Sequence, residues 1–96
     1  QSTELYEKGA IGVLEFYSIT AAVYGADAAV KAAEVTLLDV RLGIGIGGKS
    51  FVIMTGDVAA VKASVDAGSA ESKENGLLVS SVVIPSPRPE IFDSLM

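Results

Sequence analysis

Hydrophobic residues along the chain follow two periodicities, and glycine, proline and polar residues separate the segments that carry them. Runs rich in β-branched and aromatic side chains predict strands, whereas apolar residues every three or four positions predict helices. The predicted strands are residues 10–16, 35–42, 51–55 and 77–84. The predicted helices are residues 19–33 and a second segment that begins after Asp57.

The first predicted helix carries Val23, Ala26 and Val30 at helical spacing, which predicts an amphipathic helix with these residues on its apolar face. Ser18 precedes the helix and is in position to cap its N-terminus. Alanine fills much of this helix, and its small side chain suits close packing against a sheet or another subunit. On alanine content alone, high helix propensity over a shallow core is the better explanation.

The second predicted helix begins after Asp57, which we expect to cap it. Val58, Val61, Val65 and Gly68 share one face of this helix. A tetrapeptide of the first helix, residues 28–31, recurs as residues 59–62. The repeat predicts equivalent places for the two copies in the two helices.

The order of elements is strand, helix, strand, strand, helix, strand, which is the split βαβ, or ferredoxin-like, arrangement. The fold class is therefore α+β, with helices on one face of a four-stranded antiparallel sheet. We expect residues 1–8 to form a flexible lead-in and residues 9–96 to form one domain. A short C-terminal helix around residues 90–92 would fit the sequence after the last strand.

Composition excludes several classes of function. The 96 residues carry a formal charge of −5 and contain no cysteine and no histidine. Disulfides, thiol chemistry and the usual zinc ligands are absent, and nothing resembles a basic nucleic-acid footprint. No apolar run reaches the ~20 residues that cross a bilayer. We therefore expect a soluble protein that binds neither nucleic acid nor a membrane.

The segment Gly43–Ser50 reads GIGIGGKS and matches the phosphate-loop expression GxxxxGK[ST]. A phosphate loop needs a strand before it and a helix after it, because the helix N-terminus binds the phosphate. Phe51 begins a β-branched run that predicts a strand. The sequence therefore predicts a glycine-rich connection between two strands and argues against a nucleotide site.

We expect no catalytic residues. A nucleophile such as Ser80 or Ser81 would lack an activating base, since the chain has no histidine or cysteine. The carboxylates show no pairing that suggests acid–base chemistry and are better explained as solvated charge; they include Glu15, Asp39, Glu71 and Glu74.

Four stretches together resemble the shell domain of bacterial microcompartments. They are AIGVLEF at residues 10–16, GADAAVKAAEVTLL at 25–38, TGDVAAVKASVDAGS at 55–69 and VVIPSPRPE at 82–90. These stretches cover most of the chain in the order of the family. The loop and the ENGLLV segment most resemble the second domain of tandem-domain members from propanediol-utilisation compartments.

The resemblance implies a structural protein of the bacterial cytoplasm. Family members form flat rings of six domains, either homohexamers or pseudohexameric trimers of fused domains, which tile into a shell. Its partners would be copies of itself, other shell proteins and the encapsulated enzymes. The fold alone also fits an oligomeric regulatory module that binds a small metabolite.

The resemblance also places the glycine-rich loop around a pore on the ring axis, longer here than the loop of simple members. The implied pore-lining residues are Gly43, Ile44, Gly45, Ile46, Gly47, Gly48, Lys49 and Ser50. Glycines permit close approach of several loops, and their N–H groups offer a polar lining to anionic or carbonyl-bearing metabolites. A hairpin tip without a role in transport is the alternative.

Residues at the tile edge follow from the same resemblance. The edge lysine of the family falls on Lys31, whose alternative role is a solvated pair with Asp27. The arginine that usually accompanies it is replaced by Ser86. Either Arg88 substitutes for it from two residues away, or the contact between neighbouring rings is weaker than is usual in the family.

We expect no cofactor. The tandem-domain relative that the chain resembles holds an iron–sulfur cluster at its pore through cysteine, and Ser50 stands near the corresponding place. Without cysteine this chain alone cannot supply the thiolate ligands of such a cluster.

Overall fold

The computed structural model describes residues 9–44 and 46–85, except for the side chain of Ile46. Its elements follow the predicted order. They are β1 (Gly9–Phe16), α1 (Ile19–Ala32), β2 (Thr36–Arg41), β3 (Ser50–Asp57), α2 (Val58–Asn75) and β4 (Leu78–Pro85), with a short turn at Ile46–Gly48 between β2 and β3.

The four strands form one sheet in the order β2-β3-β1-β4, and every neighbouring pair is antiparallel. β1 occupies a central position, where Leu14 pairs with Val52 of β3 on one side and Ser81 of β4 on the other. Both helices pack on one face of this sheet, where the buried residues of β1 and β3 form the core. The predicted α+β class and split βαβ arrangement are confirmed.

Two strands extend beyond their predicted ends. β3 includes Gly56 and Asp57, a pair that reads as a turn in sequence but forms ladder partners of Ala10 and Gly9 in β1. β4 includes Pro85, which pairs with Ala10 at the outer end of an edge strand. Proline is tolerated there because an edge strand leaves one side of its backbone unpaired.

The predicted apolar face of α1 is not the face that packs on the core. Val23 is 47% exposed and Val30 is 42% exposed, whereas Ala26 lies half-buried against the core. The buried residues of α1 are small and are Ala21, Ala22, Gly25 and Ala29. Periodicity favoured the larger side chains, but the space beneath this helix admits only glycine and alanine.

That space is limited by a close contact between the two helices. A Cβ on Gly25 would lie 2.8 Å from the carbonyl oxygen of Gly68 and 2.6 Å from Cζ of Phe16. A Cβ on Gly68 would lie 2.9 Å from the carbonyl oxygen of Gly25. The helices therefore touch backbone to backbone, which larger side chains would prevent.

A buried hydrogen bond joins the helices one turn further along. The hydroxyl of Ser64 in α2 donates to the carbonyl oxygen of Ala29 at 2.7 Å. Ala29 lies in the last turn of α1, where carbonyl groups lack intrahelical donors. Ser64 thus satisfies a helix end that packing removes from water.

The two predicted N-caps have different outcomes. Ser18 caps α1 as expected, because its hydroxyl accepts a hydrogen bond from the backbone N–H of Ala21 at 2.9 Å. Asp57 occupies the N-cap position of α2, but its carboxylate makes no capping hydrogen bond. Since Asp57 is also the last ladder residue of β3, the chain passes directly from strand to helix there.

The repeated tetrapeptide does not occupy equivalent places. Residues 28–31 lie in the last turns of α1, whereas residues 59–62 lie in the first turns of α2. Val30 is exposed and Val61 is fully buried. The two copies of the tetrapeptide therefore lie in different environments.

Several predictions fall outside the described residues. They are the lead-in at residues 1–8, the edge residues Ser86 and Arg88, and the C-terminal helix around residues 90–92. In the part of the chain that the structure describes, no helix has the length and apolar character needed to span a bilayer.

We predict that Gly25→Ala destabilises the domain, although helix propensity alone would favour alanine by about 1 kcal/mol. The added methyl group meets the backbone of Gly68, which cannot rotate away, so overpacking should cost about 1–3 kcal/mol. Urea unfolding at constant protein concentration measures the difference. Gly76→Asn is the control, because Gly76 has open space around it and asparagine tolerates its left-handed φ of 74°. A higher urea midpoint for Gly25→Ala than for the unmodified chain would refute the contact.

Candidate functional site

The loop that connects β2 to β3 lies at the end of the sheet where the C-terminus of β1 is also found. It lies beside the start of α1, since a Cβ on Gly43 would be 3.1 Å from Cδ1 of Ile19. The base of the loop therefore packs against the start of α1.

One hydrogen bond closes the loop at its base. The N–H of Gly43 donates to Oγ of Ser50 at 2.9 Å, and Ser50 is fully buried. Gly43 has a φ of 71°, a conformation that glycine adopts without steric cost. We refer to this contact as the Gly43–Ser50 clamp. Ser50 thus holds the loop ends together and, within one chain, presents no surface to a pore.

The same geometry removes the phosphate-loop interpretation. A phosphate loop needs the serine hydroxyl for a metal ion and a helix immediately after it. Here the hydroxyl of Ser50 accepts from Gly43, and Ser50 is the first residue of a strand. The structure therefore supports the predicted strand connection.

The tip of the loop is exposed and built on glycine. Gly47 and Gly48 have φ values of 74° and 77°, and a Cβ on either residue would meet no atom within 4 Å. The side chain of Ile44 is 62% exposed. Gly45 and the side chain of Ile46 lie outside the described part of the chain. The described part of the tip thus presents backbone groups and the side chain of Ile44 to its surroundings.

The side chain of Lys49 contacts an aromatic ring outside the loop. Its Nζ lies 5.8 Å from the centroid of the Tyr17 ring, within the range of a cation–π interaction. Tyr17 follows β1, and its backbone N–H donates to the carbonyl oxygen of Leu77 at 2.8 Å. Tyr17 could not be predicted as part of this site, because no local sequence pattern links residues so far apart in the chain.

The charge before the loop is neutralised. Nε of Arg41 lies 2.6 Å from Oδ2 of Asp39, two residues earlier on β2. Both belong to an edge strand, and the pair is partly exposed. Asp39, for which sequence suggested no partner, therefore has Arg41.

The candidate edge lysine lies far along α1 from the loop. Nζ of Lys31 is 2.9 Å from Oδ2 of Asp27, so the predicted pair one turn apart is confirmed. Both side chains are largely exposed, which limits such a pair to about 0.5 kcal/mol. Lys31 therefore remains accessible at the surface.

Exposed apolar side chains form a stripe along α1. Ile19, Val23 and Val30 point to the same side of the helix by their spacing, and all three are exposed. We call these three residues the α1 stripe. Exposed apolar side chains that share one side of a helix are a candidate contact surface, since large apolar patches mark interaction sites.

A cleft of ≈ 190 Å³ separates the start of α1 from the end of α2. It is lined mostly by small and polar residues, including Thr20, Tyr24, Glu71, Ser72 and Asn75. Among residues 9–44 and 46–85, no three acidic, histidine or cysteine side chains come together to hold a metal ion.

Sequence comparison relates this chain to shell proteins. The BMC domain model matches residues 10–87. The chain is 39% identical over 90 residues to the bacterial microcompartment shell protein PduT of Citrobacter freundii, a match that covers 94% of this chain and 49% of PduT. It is 44% identical over 82 residues to the shell protein EutM of Salmonella typhimurium, covering 85% of this chain and 83% of EutM.

Structure comparison gives the same relationship. A crystal structure of a microcompartments protein from Desulfitobacterium hafniense DCB superposes with a TM-score of 0.84 at 49% identity. The superposition covers 88% of this chain and 47% of that protein, so the chain spans about half the length of this neighbour and of PduT. The BMC model includes both helices, the four strands and the glycine-rich loop, and the chain belongs to the BMC domain family.

Proposed function

We propose that this protein is a structural subunit of a bacterial microcompartment shell in the cytoplasm, in which six such domains form a ring with a central pore. The observation that carries the proposal is the family match over residues 10–87 together with relatives that are shell proteins. The six domains would come from separate chains or from chains with two fused domains. Other shell proteins and enclosed enzymes are the further partners that this role implies.

We also propose that the loop between β2 and β3 lines the pore and passes small metabolites. The exposed tip supports this role, because Gly47 and Gly48 leave room for neighbouring loops to approach. Ile44 would contact its symmetry copies, and exposed N–H groups would face the solute. Among the residues implied for this lining, Ser50 acts from behind by holding the loop base.

The α1 stripe supports association with other copies. Ile19, Val23 and Val30 are 49%, 47% and 42% exposed, so covering the exposed part of each would contribute roughly 1 kcal/mol, about half the value for full burial. Lys31, at the end of the same helix, is accessible for contact between rings, with Ser86 and Arg88 as the proposed companions beyond the described residues.

A module that binds a small metabolite is the second candidate, and the cleft between α1 and α2 favours it. Such a module would bind a ligand saturably as a discrete oligomer and would not form sheets. A shell subunit should bind solutes weakly, because a conduit must release what it admits. The mass of the native assembly and its appearance by negative-stain imaging separate the two.

We predict that native mass spectrometry of the purified protein shows a six-domain assembly, and that Val23→Lys converts it to smaller species. A charge at this exposed position should change the free energy of unfolding by less than about 0.5 kcal/mol, so loss of assembly would not reflect unfolding. Ala63→Lys on the exposed side of α2 is the matched control. If Val23→Lys still formed the same assembly, the α1 stripe would not be part of the interface.

We predict that Gly47→Trp reduces solute flux through assembled rings severalfold, because six indole rings would crowd one axis. Gly76→Trp is a matched control, since Gly76 has the same φ of 74° and equally open surroundings at the end of α2. The measurement is the single-channel conductance of rings in a planar bilayer. Equal conductance in the two variants would show that this loop does not line the pore.

A further inference from the structure

We propose that Lys49, held over the ring of Tyr17, makes the opening of the ring prefer small anions, such as carboxylates, to cations. This inference rests on the proposed role of the loop as the pore lining. It adds a residue outside the loop, Tyr17, as the group that positions the charge.

The charges along this part of the chain have one sign. Lys49 is the only ionisable residue between Arg41 and Asp57 in the sequence. Arg41 is already paired with Asp39 at 2.6 Å, so its charge is largely cancelled. The net charge that the loop brings to the opening is therefore the ammonium group of Lys49.

Tyr17 holds this ammonium group without neutralising it. A carboxylate partner would cancel the charge, whereas an aromatic ring attracts a cation through its quadrupole and leaves the net charge unchanged. The backbone of Tyr17 is held by a 2.8 Å hydrogen bond to Leu77, and its side chain is partly exposed beside Lys49. The contact therefore restricts a flexible lysine to one side of the loop base.

Repetition around an axis strengthens the effect. Each of the six domains would contribute one ammonium group, and their potentials add wherever they lie within a Debye length of the solute, about 8 Å at physiological salt. The chain as a whole carries a formal charge of −5, which by itself would favour cations. An anion preference would therefore report the local charge of Lys49 and not the overall charge.

The test measures the reversal potential of assembled rings in a planar bilayer under a KCl gradient, which gives the ratio of chloride to potassium permeability. We expect the unmodified protein to favour chloride. Lys49→Gln removes the charge from all six domains and should lower the ratio at least fivefold, since about fivefold is already the weight of one unit charge at about 4 Å in water. Lys62→Gln, which removes an exposed lysine from α2, should leave the ratio unchanged.

Variants of Tyr17 test the positioning role. Tyr17→Phe keeps the aromatic face and should retain the chloride preference, whereas Tyr17→Leu removes the face and should lower the preference. A role of Tyr17 in folding alone would affect assembly without this difference in ion selectivity. Equal permeability ratios in the phenylalanine and leucine variants would refute the positioning role.

The outcomes separate this inference from the proposed function. Conducting rings whose selectivity is unaffected by Lys49→Gln would overturn the inference and leave the pore in place. Rings that imaging shows to lie in the bilayer but that do not conduct would overturn both. If Lys49→Gln does not assemble, the salt dependence of the chloride preference is measured on the unmodified protein instead. A preference due to Lys49 must shrink with added salt, because the Debye length falls from about 10 Å at 0.1 M to about 3 Å at 1 M. A preference that does not depend on salt would count against Lys49.

Discussion

The contact between the backbones of Gly25 and Gly68 sets the distance between the two helices, and the remaining packing follows from that distance. Beneath the contact, the ring of Phe16 fills the space that a side chain on Gly25 would need. One turn further along, the same closeness brings the hydroxyl of Ser64 within 2.7 Å of the last turn of α1. A larger residue at either glycine would push the helices apart and weaken all of these interactions at once.

This close approach explains why the larger side chains of α1 face outward. The inner side of the helix uses alanine and glycine, so its valines remain on the surface, where a single domain has nothing to cover them among the described residues. In a monomer this arrangement would be unfavourable, because apolar area stays in water. In an assembly the same residues provide contact area. The close packing of the two helices and the proposed association of domains are therefore connected, because the first leaves exposed the side chains that the second would bury.

The sequence predicts the elements well because strand and helix periodicities differ clearly in this chain. Phe51 and its β-branched neighbours were enough to reject a phosphate loop, and the fold class follows from the order of elements. The buried face of α1 could not be predicted, since periodicity favours the valines and only the distance to α2 excludes them. Nor could the contact between Tyr17 and Lys49, which depends on where two separate strands end.

The Gly43–Ser50 clamp has a consequence for how such loops can change. The ladder between β2 and β3 and this hydrogen bond together hold the two ends of the loop in position. A Cβ on Gly47 or Gly48 would meet no atom within 4 Å, so the space around these two residues is open to other segments. The base can therefore hold loop tips of different length and sequence. Evolution or protein engineering can graft segments of different length and chemistry there while the scaffold keeps its stability.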